Sequence, residues 1–369
     1  MPFTISTSPR VRPSPFYHAT IADGVTSFTT YNHMMMPTSY GDPMAEYWRL
    51  IEGVSMWDVA VERQVQLKGP DAGLLAQALV PRNLSKQKIG QGWYVPVCDH
   101  RGVLLNDPVL LKLAEDCYWF SIADGDVLFW ARAIAGERGL DVEVTEPDVS
   151  PLAIQGPKAE DVVASLFDDS IRGLGHFRFR EMDLDGIPLI VARSGWSKQG
   201  GFELYLRDGE RGLDLWNKVK QAGQPFDIGP GAPNTMERIE SGLLSWGGDT
   251  DDETNPFEVG MGRFVHDDVP DDTIGIRALR HVRERGPKRH RLGVVIDVEE
   301  KLGYFDRKGK VFKGATNAGH LTATCWSPRL NCNIGICLVW TGVGPGDTVR
   351  LELPGGRTCE GEMTVLPFL

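Results

Sequence analysis

The sequence predicts an α+β fold with a β-barrel-like domain at its C-terminal end, on three observations. Helical and strand-like stretches are interspersed, with neither strict βαβ alternation nor a G-x-G-x-x-G turn after a strand, so a doubly wound dinucleotide domain is not expected. Residues 70–81, PDAGLLAQALVP, read as a proline-bounded helix, and QGWYVPVCD, GVLLNDPVLLKL and YWFSIAD after them read as strands. From about residue 285 the chain turns to strand-like pieces separated by glycines: RLGVVIDV, TATCWS, NIGICLVW, DTVRLELP and EGEMTVLPF. The expected division is residues 1–280, two interleaved α+β subdomains, and residues 281–369, the β domain.

Taken in order, the N-terminal stretch MPFTISTSPRVRPSPFYHAT holds no apolar run of signal-peptide length. Nothing later approaches the roughly 20 apolar residues of a membrane span, so a cytoplasmic location is expected. The strongest helical pattern is APNTMERIESGLLSWGG, residues 232–248. There Met236, Ile239, Leu243 and Trp246 recur on one face, Asn234 and Thr235 cap the start, and Gly247-Gly248 end the helix. Glu237, Arg238 and Glu240 occupy its other edge, where Arg238 is expected to bridge those acids unless it serves a ligand. RHVRERGPKRHR, residues 280–291, carries six Lys or Arg against one Glu and reads as a solvated interdomain connector.

The formal charge of −11 argues against nucleic acid, because its field repels phosphates. Six cysteines lie among apolar neighbours with no C-x-x-C pair, and eight histidines show no H-x-H or H-E-x-x-H spacing. Neither a disulfide framework nor a metal site is expected.

RSGWSKQGGFELYL, residues 193–206, places Trp196, Lys198, Glu203 and Tyr205 around the flexible pair Gly200-Gly201. Its flanks LIVA and FELYL are strand-like, so the middle is a turn carrying polar groups over a sheet edge. Such a turn suits a small ligand; a tight hairpin whose Trp covers its own strand is the plainer alternative.

The chain resembles the glycine-cleavage aminomethyltransferase (T-protein) family through motifs in a shared order. These are the D-V and G-P-D-A motifs, G-Q-x-x-Y ending at Tyr94, AIQGP at 153–157, RSGWSKQGGFE at 193–203, ERIESGLLSWGGD at 237–249, NPFEVGMGRFV at 255–265, and TATCWSPRLNCNIGICLV. The resemblance implies three subdomains around a central folate channel, with tetrahydrofolate accepting a one-carbon unit. It places the folate-binding carboxylate on Glu203 and puts Tyr94, Asp107 and Arg238, the last on the matching family helix, among the folate-binding residues. The chain also departs from the family: R-T-G-Y-T-G-E-D-G-F-E becomes RSGWSKQGGFE, D-V-S-H-M becomes Asp58-Val59-Ala60-Val61-Glu62, and paired strand acids become Asn106-Asp107.

YNHMMMPTSY at 31–40, WDVAVERQV at 57–65, LSKQKIGQGWYVPV at 84–97 and ARSGWSKQGGFELY at 192–205 resemble the family's tetrahydrofolate-dependent dimethylsulfoniopropionate demethylases. That resemblance implies a methyltransferase moving a sulfonium methyl to N5 of tetrahydrofolate. Trp196 and Tyr205 would face the sulfonium with π surfaces, together with Tyr31, and count with Asp107 as the catalytic set. Lys198, or else Arg193, would meet the donor's carboxylate. Lys198 as a plain loop lysine and Asp107 as a structural strand-end residue remain open alternatives. So does a related enzyme acting on a methylamine or aminomethyl donor, or a non-enzymatic folate-binding relative, whose K-G-C-Y-x-G-Q-E motif is absent. The expected partners are small molecules only, without nucleic acid or membrane, with a homodimer as the candidate assembly.

Overall fold

A computed structural model describes residues 8–369, so the first seven residues of the N-terminal stretch lie outside it. Two compact units are present. One comprises residues through Ala76, Lys86–Tyr94 and Pro108–Asn234; the other comprises Gln77–Ser85, Val95–Asp107 and Thr235–Leu369. No helix among the described residues is long and apolar enough to cross a membrane.

The first unit is built on two sheets. Its six-stranded sheet runs in the order Phe179–Leu184, Ile187–Ala192, Gly201–Leu206, Ser150–Gln155, Ser55–Asp58 and Gly229–Gly231. Every residue of Ser150–Gln155 is buried, as expected of a central strand covered on both faces. Val162 and Val163 of helix Ala159–Leu166, and Leu215, Trp216 and Val219 of helix Gly212–Gly223, enter the same apolar cluster as Leu152, Ile154, Phe202 and Leu204. The five-stranded sheet runs Glu143–Thr145, Gln64–Lys68, Cys117–Ser121, Val109–Ala114 and Gln91–Tyr94. Strands Ser27–Tyr31 and Met34–Ser39 form a hairpin whose two-residue turn, Asn32-His33, takes left-handed φ values of 49° and 62°. Asparagine tolerates that region, which favours the tight turn.

In the second unit six strands close a barrel in the order Arg289–Asp297, Cys332–Trp340, Thr316–Ser327, Gly309–Lys313, Thr348–Glu352 and Thr358–Thr364. This is the β domain that the glycine-separated strands predict. The helix expected over 232–248 is much shorter, Thr235–Glu240. Gly242 takes φ +61°, its N–H donates to the Ile239 carbonyl and the N–H of Leu243 donates to that of Arg238. This closes a left-handed C-terminal cap at Gly242, ahead of the expected end at Gly247-Gly248. Arg238 pairs with Asp249 rather than with Glu237 or Glu240, and Glu240 instead meets Ser327 and Arg329. The basic stretch at 280–291, exposed or half-buried throughout, has regular structure. It ends helix Ile276–Arg285 and begins the first barrel strand, where Arg289 binds Asp251 and Glu258.

Asp58, the last residue of strand Ser55–Asp58, is buried and accepts hydrogen bonds from the Ser14 hydroxyl and, at 3.2 Å, the Ala60 N–H. Burial pushes its carboxyl up to about 6. Because the folded state then holds the proton more tightly than the unfolded chain, stability falls as pH rises from about 4 through 6, by up to about 3 kcal/mol. Asp58→Asn is therefore expected to stabilise the protein near pH 7.5 and to lose that gain near pH 4. Thermal melts at the two pH values check it, and an equal change at both would contradict the assignment.

Candidate functional site

The polar turn at 193–201 is anchored in part by Gln155. Gln155, at the end of the buried strand Ser150–Gln155, donates through Nε2 to the Ser194 carbonyl at 3.0 Å, and its Oε1 accepts from the Ser197 hydroxyl at 2.8 Å. Two glycines make room for that amide. A Cβ on Gly195 would lie 2.0 Å from Gln155 Nε2, and one on Gly201 would lie 2.4 Å from the Ile154 carbonyl oxygen. Within this turn Trp196 is half-buried and Lys198 is exposed.

Beyond the turn, strand Gly201–Leu206 alternates its side chains, so Glu203 and Tyr205 share a face while Phe202 and Leu204 enter the opposite core. Glu203 is 4% exposed and Tyr205 is 1% exposed. Glu203 Oε2 accepts from the Ser194 hydroxyl and, at 3.3 Å, from the Tyr205 hydroxyl. Burial raises the Glu203 carboxyl above its ordinary value, and the hydrogen bonds from Ser194, Tyr205 and Glu62 offset that only in part. Burial and the neighbouring Glu203 and Glu62 raise the Tyr205 phenol too. The ring of Tyr205 packs with Leu111, Trp119, Phe179 and Ile190.

A small cavity of about 10 Å³ lies beside Ser194 and Tyr205, walled by Gly92, Val109, Leu111 and Phe177 among others. Phe177 holds φ +55°, a conformation costly for a bulky side chain. Its backbone is fixed there by the Gly92 N–H donating to its carbonyl and by its own N–H donating to Arg193 O, both at 2.9 Å. His176 lies beside it, and burial, then Lys198, then Arg193 depress that imidazole. The Lys198 side of the turn is thus locally cationic. Arg193 is already engaged by Glu160 at 2.8 Å and by the Arg172 and Leu174 carbonyls.

Among the sequence-derived candidates, Glu203 and Tyr205 are in direct contact, and Trp196 and Lys198 sit on the turn leading to them. Tyr94, half-buried, ends strand Gln91–Tyr94 opposite Val109. Tyr31 ends the hairpin strand Ser27–Tyr31 and packs on the apolar core of the first unit. Asp107 and Arg238 belong to the second unit. Asp107 is half-buried there. The Arg238 guanidinium is 3% exposed and donates to Asp249 at 2.8 Å; burial acts to raise Asp249, and Arg238 with Arg291 overcomes this and keeps it below its ordinary value. Sequence reasoning missed Glu62, Ser194, Gln155 and Phe177. Glu62 was visible only as a departure from the family motif, and Phe177 carries no local signal at all.

The comparisons with known proteins agree with this architecture. Residues 16–268 match the model of the GCVT N-terminal domain, and residues 289–369 match that of the glycine cleavage T-protein C-terminal barrel domain. The chain belongs to the glycine-cleavage T-protein family. Among curated T-protein relatives, the dimethylsulfoniopropionate demethylase DmdA of Ruegeria pomeroyi is 43% identical over 357 residues, covering 96% of each chain. An aminomethyltransferase of Rubrobacter xylanophilus is 31% identical over 336 residues, covering 89% of this chain and 87% of that one. The crystal structure of the glycine cleavage system aminomethyltransferase T of Bartonella henselae superposes with a TM-score of 0.85 over 97% of this chain and 98% of that one. At 22% identity it establishes the T-protein fold.

Proposed function

We propose that this protein demethylates dimethylsulfoniopropionate, passing one sulfonium methyl group to N5 of tetrahydrofolate and leaving 3-(methylthio)propionate. The observation that carries this reading is the buried Glu203 carboxyl, held by Ser194 and Tyr205 just after a turn that offers an indole and an ammonium. The likeness to DmdA supports it, as does the replacement of the family's acidic pair in this turn by Gln199-Gly200.

Tetrahydrofolate fits the residues present. Its pterin edge carries N–H donors that need a fixed acceptor, and Glu203, oriented by Ser194 and Tyr205, is one. Val109, Leu111 and Phe177 line an apolar surface beside Ser194 and Tyr205. When bound, it supplies the secondary amine that accepts the methyl group. Trp196 presents a π face to the sulfonium, a cation with no hydrogen to donate, for about 0.5–2 kcal/mol. Lys198 meets the donor's carboxylate; Arg193, our second candidate, is spent on Glu160 and two carbonyls. Tyr205 contributes chiefly by orienting Glu203, since its ring is packed inside the sheet. Tyr31 completes the donor side and Tyr94 packs at the folate side, and the proton that N5 releases after the transfer passes to solvent. The leaving group is a neutral thioether and needs no general acid. Alignment in a water-poor site is the main catalytic device, worth roughly 7–11 kcal/mol at most.

Incubating the protein with tetrahydrofolate and dimethylsulfoniopropionate should yield 5-methyltetrahydrofolate, detected by mass. Product from glycine betaine or dimethylglycine but none from dimethylsulfoniopropionate would move the assignment to a methylamine donor. Trp196→Ala should lower kcat/KM for the sulfonium by about 3- to 30-fold while leaving the folate Kd nearly unchanged. Equal losses for both ligands would refute the assigned roles.

A further inference from the structure

The amide of Gln155 grips the residues on both sides of Trp196. The ends of the polar turn are tied by backbone, with the Phe177 N–H donating to the Arg193 carbonyl and the Gly156 N–H to the Gly200 carbonyl, both at 2.9 Å. Between those ties Gln155 reaches the middle. Its Nε2 donates to the Ser194 carbonyl at 3.0 Å and, at 3.4 Å, to the Phe202 carbonyl, while its Oε1 accepts from the Ser197 hydroxyl at 2.8 Å. The amide also packs against Gly195, where a Cβ would come within 2.3 Å of its nitrogen, carbon and oxygen alike. The Ser197 oxygen in turn accepts from the Gln199 N–H at 3.4 Å. Gln155 has little freedom of its own, being 1% exposed and paired through its backbone with Gly201 in the sheet.

Ser197 stands between the indole of Trp196 and the ammonium of Lys198. Because peptide units are planar, the distance between the Cα atoms of residues 196 and 198 depends on φ and ψ of residue 197. A side-chain hydrogen bond from Ser197 to a fixed acceptor restricts those two torsions. We propose that Gln155 and Ser197 form a clasp that sets the spacing of Trp196 and Lys198, and thereby the length of sulfonium donor that the enzyme accepts. Both are positioning residues, acting on the donor through its two anchors. This rests on the reading of Trp196 as the sulfonium's partner and Lys198 as the carboxylate's.

The test is a donor-length series on full-length protein at saturating tetrahydrofolate: dimethylsulfonioacetate, dimethylsulfoniopropionate and 4-dimethylsulfoniobutyrate, with 5-methyltetrahydrofolate as the product measured. A homologue that is not turned over is compared through its Ki as a competitive inhibitor. Ser197→Ala removes a hydroxyl from a half-buried turn and spares the buried strand that a change at Gln155 would disturb. Wild type should favour the propionate over both homologues. Ser197→Ala should lower kcat/KM for the propionate by about 3- to 10-fold and change the other two by less than about twofold, so that the preference collapses. Its folate Kd should stay within about twofold of wild type, and Ser197→Thr, which keeps the hydroxyl, should restore the preference. Equal losses on all three donors, an unchanged preference in Ser197→Ala, no preference in wild type, or no rescue by Ser197→Thr would each overturn the proposal. Lys198→Ala separates the underlying reading: an unchanged KM for the propionate in that variant would remove Lys198 as the carboxylate anchor, whatever Ser197 does.

Discussion

Replacing Glu203 by alanine should weaken tetrahydrofolate binding by about 10- to 150-fold, the worth of losing a charge-assisted hydrogen-bond acceptor from a buried site. The donors it serves are the reason for so large a loss. A pterin edge that meets no acceptor leaves its own N–H groups desolvated, and the Ser194 and Tyr205 hydroxyls, which both point at Oε2, are orphaned together. The fold should survive, because removing a carboxyl raised by burial also removes the cost of keeping it there. Isothermal titration gives the folate Kd, and initial rates at saturating folate give the KM for dimethylsulfoniopropionate. The first should move by at least an order of magnitude more than the second. A donor KM that rises in step with the folate Kd would mean that Glu203 lies at the sulfonium end of the site, and the two ligands would have to be exchanged.

How much of this was legible depended on whether the signal was local. The G-F-E motif marks Glu203, the strand-like FELYL matches strand Gly201–Leu206, and glycine-separated strands announce the barrel. What pairs with Glu203 is not legible, because the Ser194 hydroxyl reaches it from across the polar turn. Tyr205 reads as an aromatic face for the sulfonium, and its ring is packed among Leu111, Trp119 and Ile190. The helix over 232–248 was overread because Leu243 and Trp246 continue the period past Gly242, where the backbone turns left-handed. Periodicity measures which residues are apolar; it does not report where a glycine leaves the helix. Arg238 was misassigned to its neighbours for a related reason: its acid, Asp249, follows that break.

The adjacent glycines of the turn should respond very differently to a single methyl group. At Gly201 the backbone holds φ +155°, and an added Cβ meets the Ile154 carbonyl oxygen at 2.4 Å and Gln155 Nε2 at 2.5 Å. The Ile154 oxygen belongs to a fully buried strand that pairs in register with Gly201–Leu206, so it cannot retreat without breaking the ladder. Gly201→Ala should therefore cost about 2–4 kcal/mol of stability, from overpacking added to backbone strain. It should also lower kcat/KM for the sulfonium by about 100-fold or more, because displacing the strand start carries Trp196 out of line. At Gly200 the same substitution meets no atom within 4 Å, and only its left-handed φ of +81° opposes it. Gly200→Ala should cost about 1 kcal/mol and leave most activity. Thermal melts and initial rates on the pair separate the two causes. If both variants lose activity alike, left-handed backbone at the turn is what matters, and close packing of the turn against Gln155 is not what places the indole.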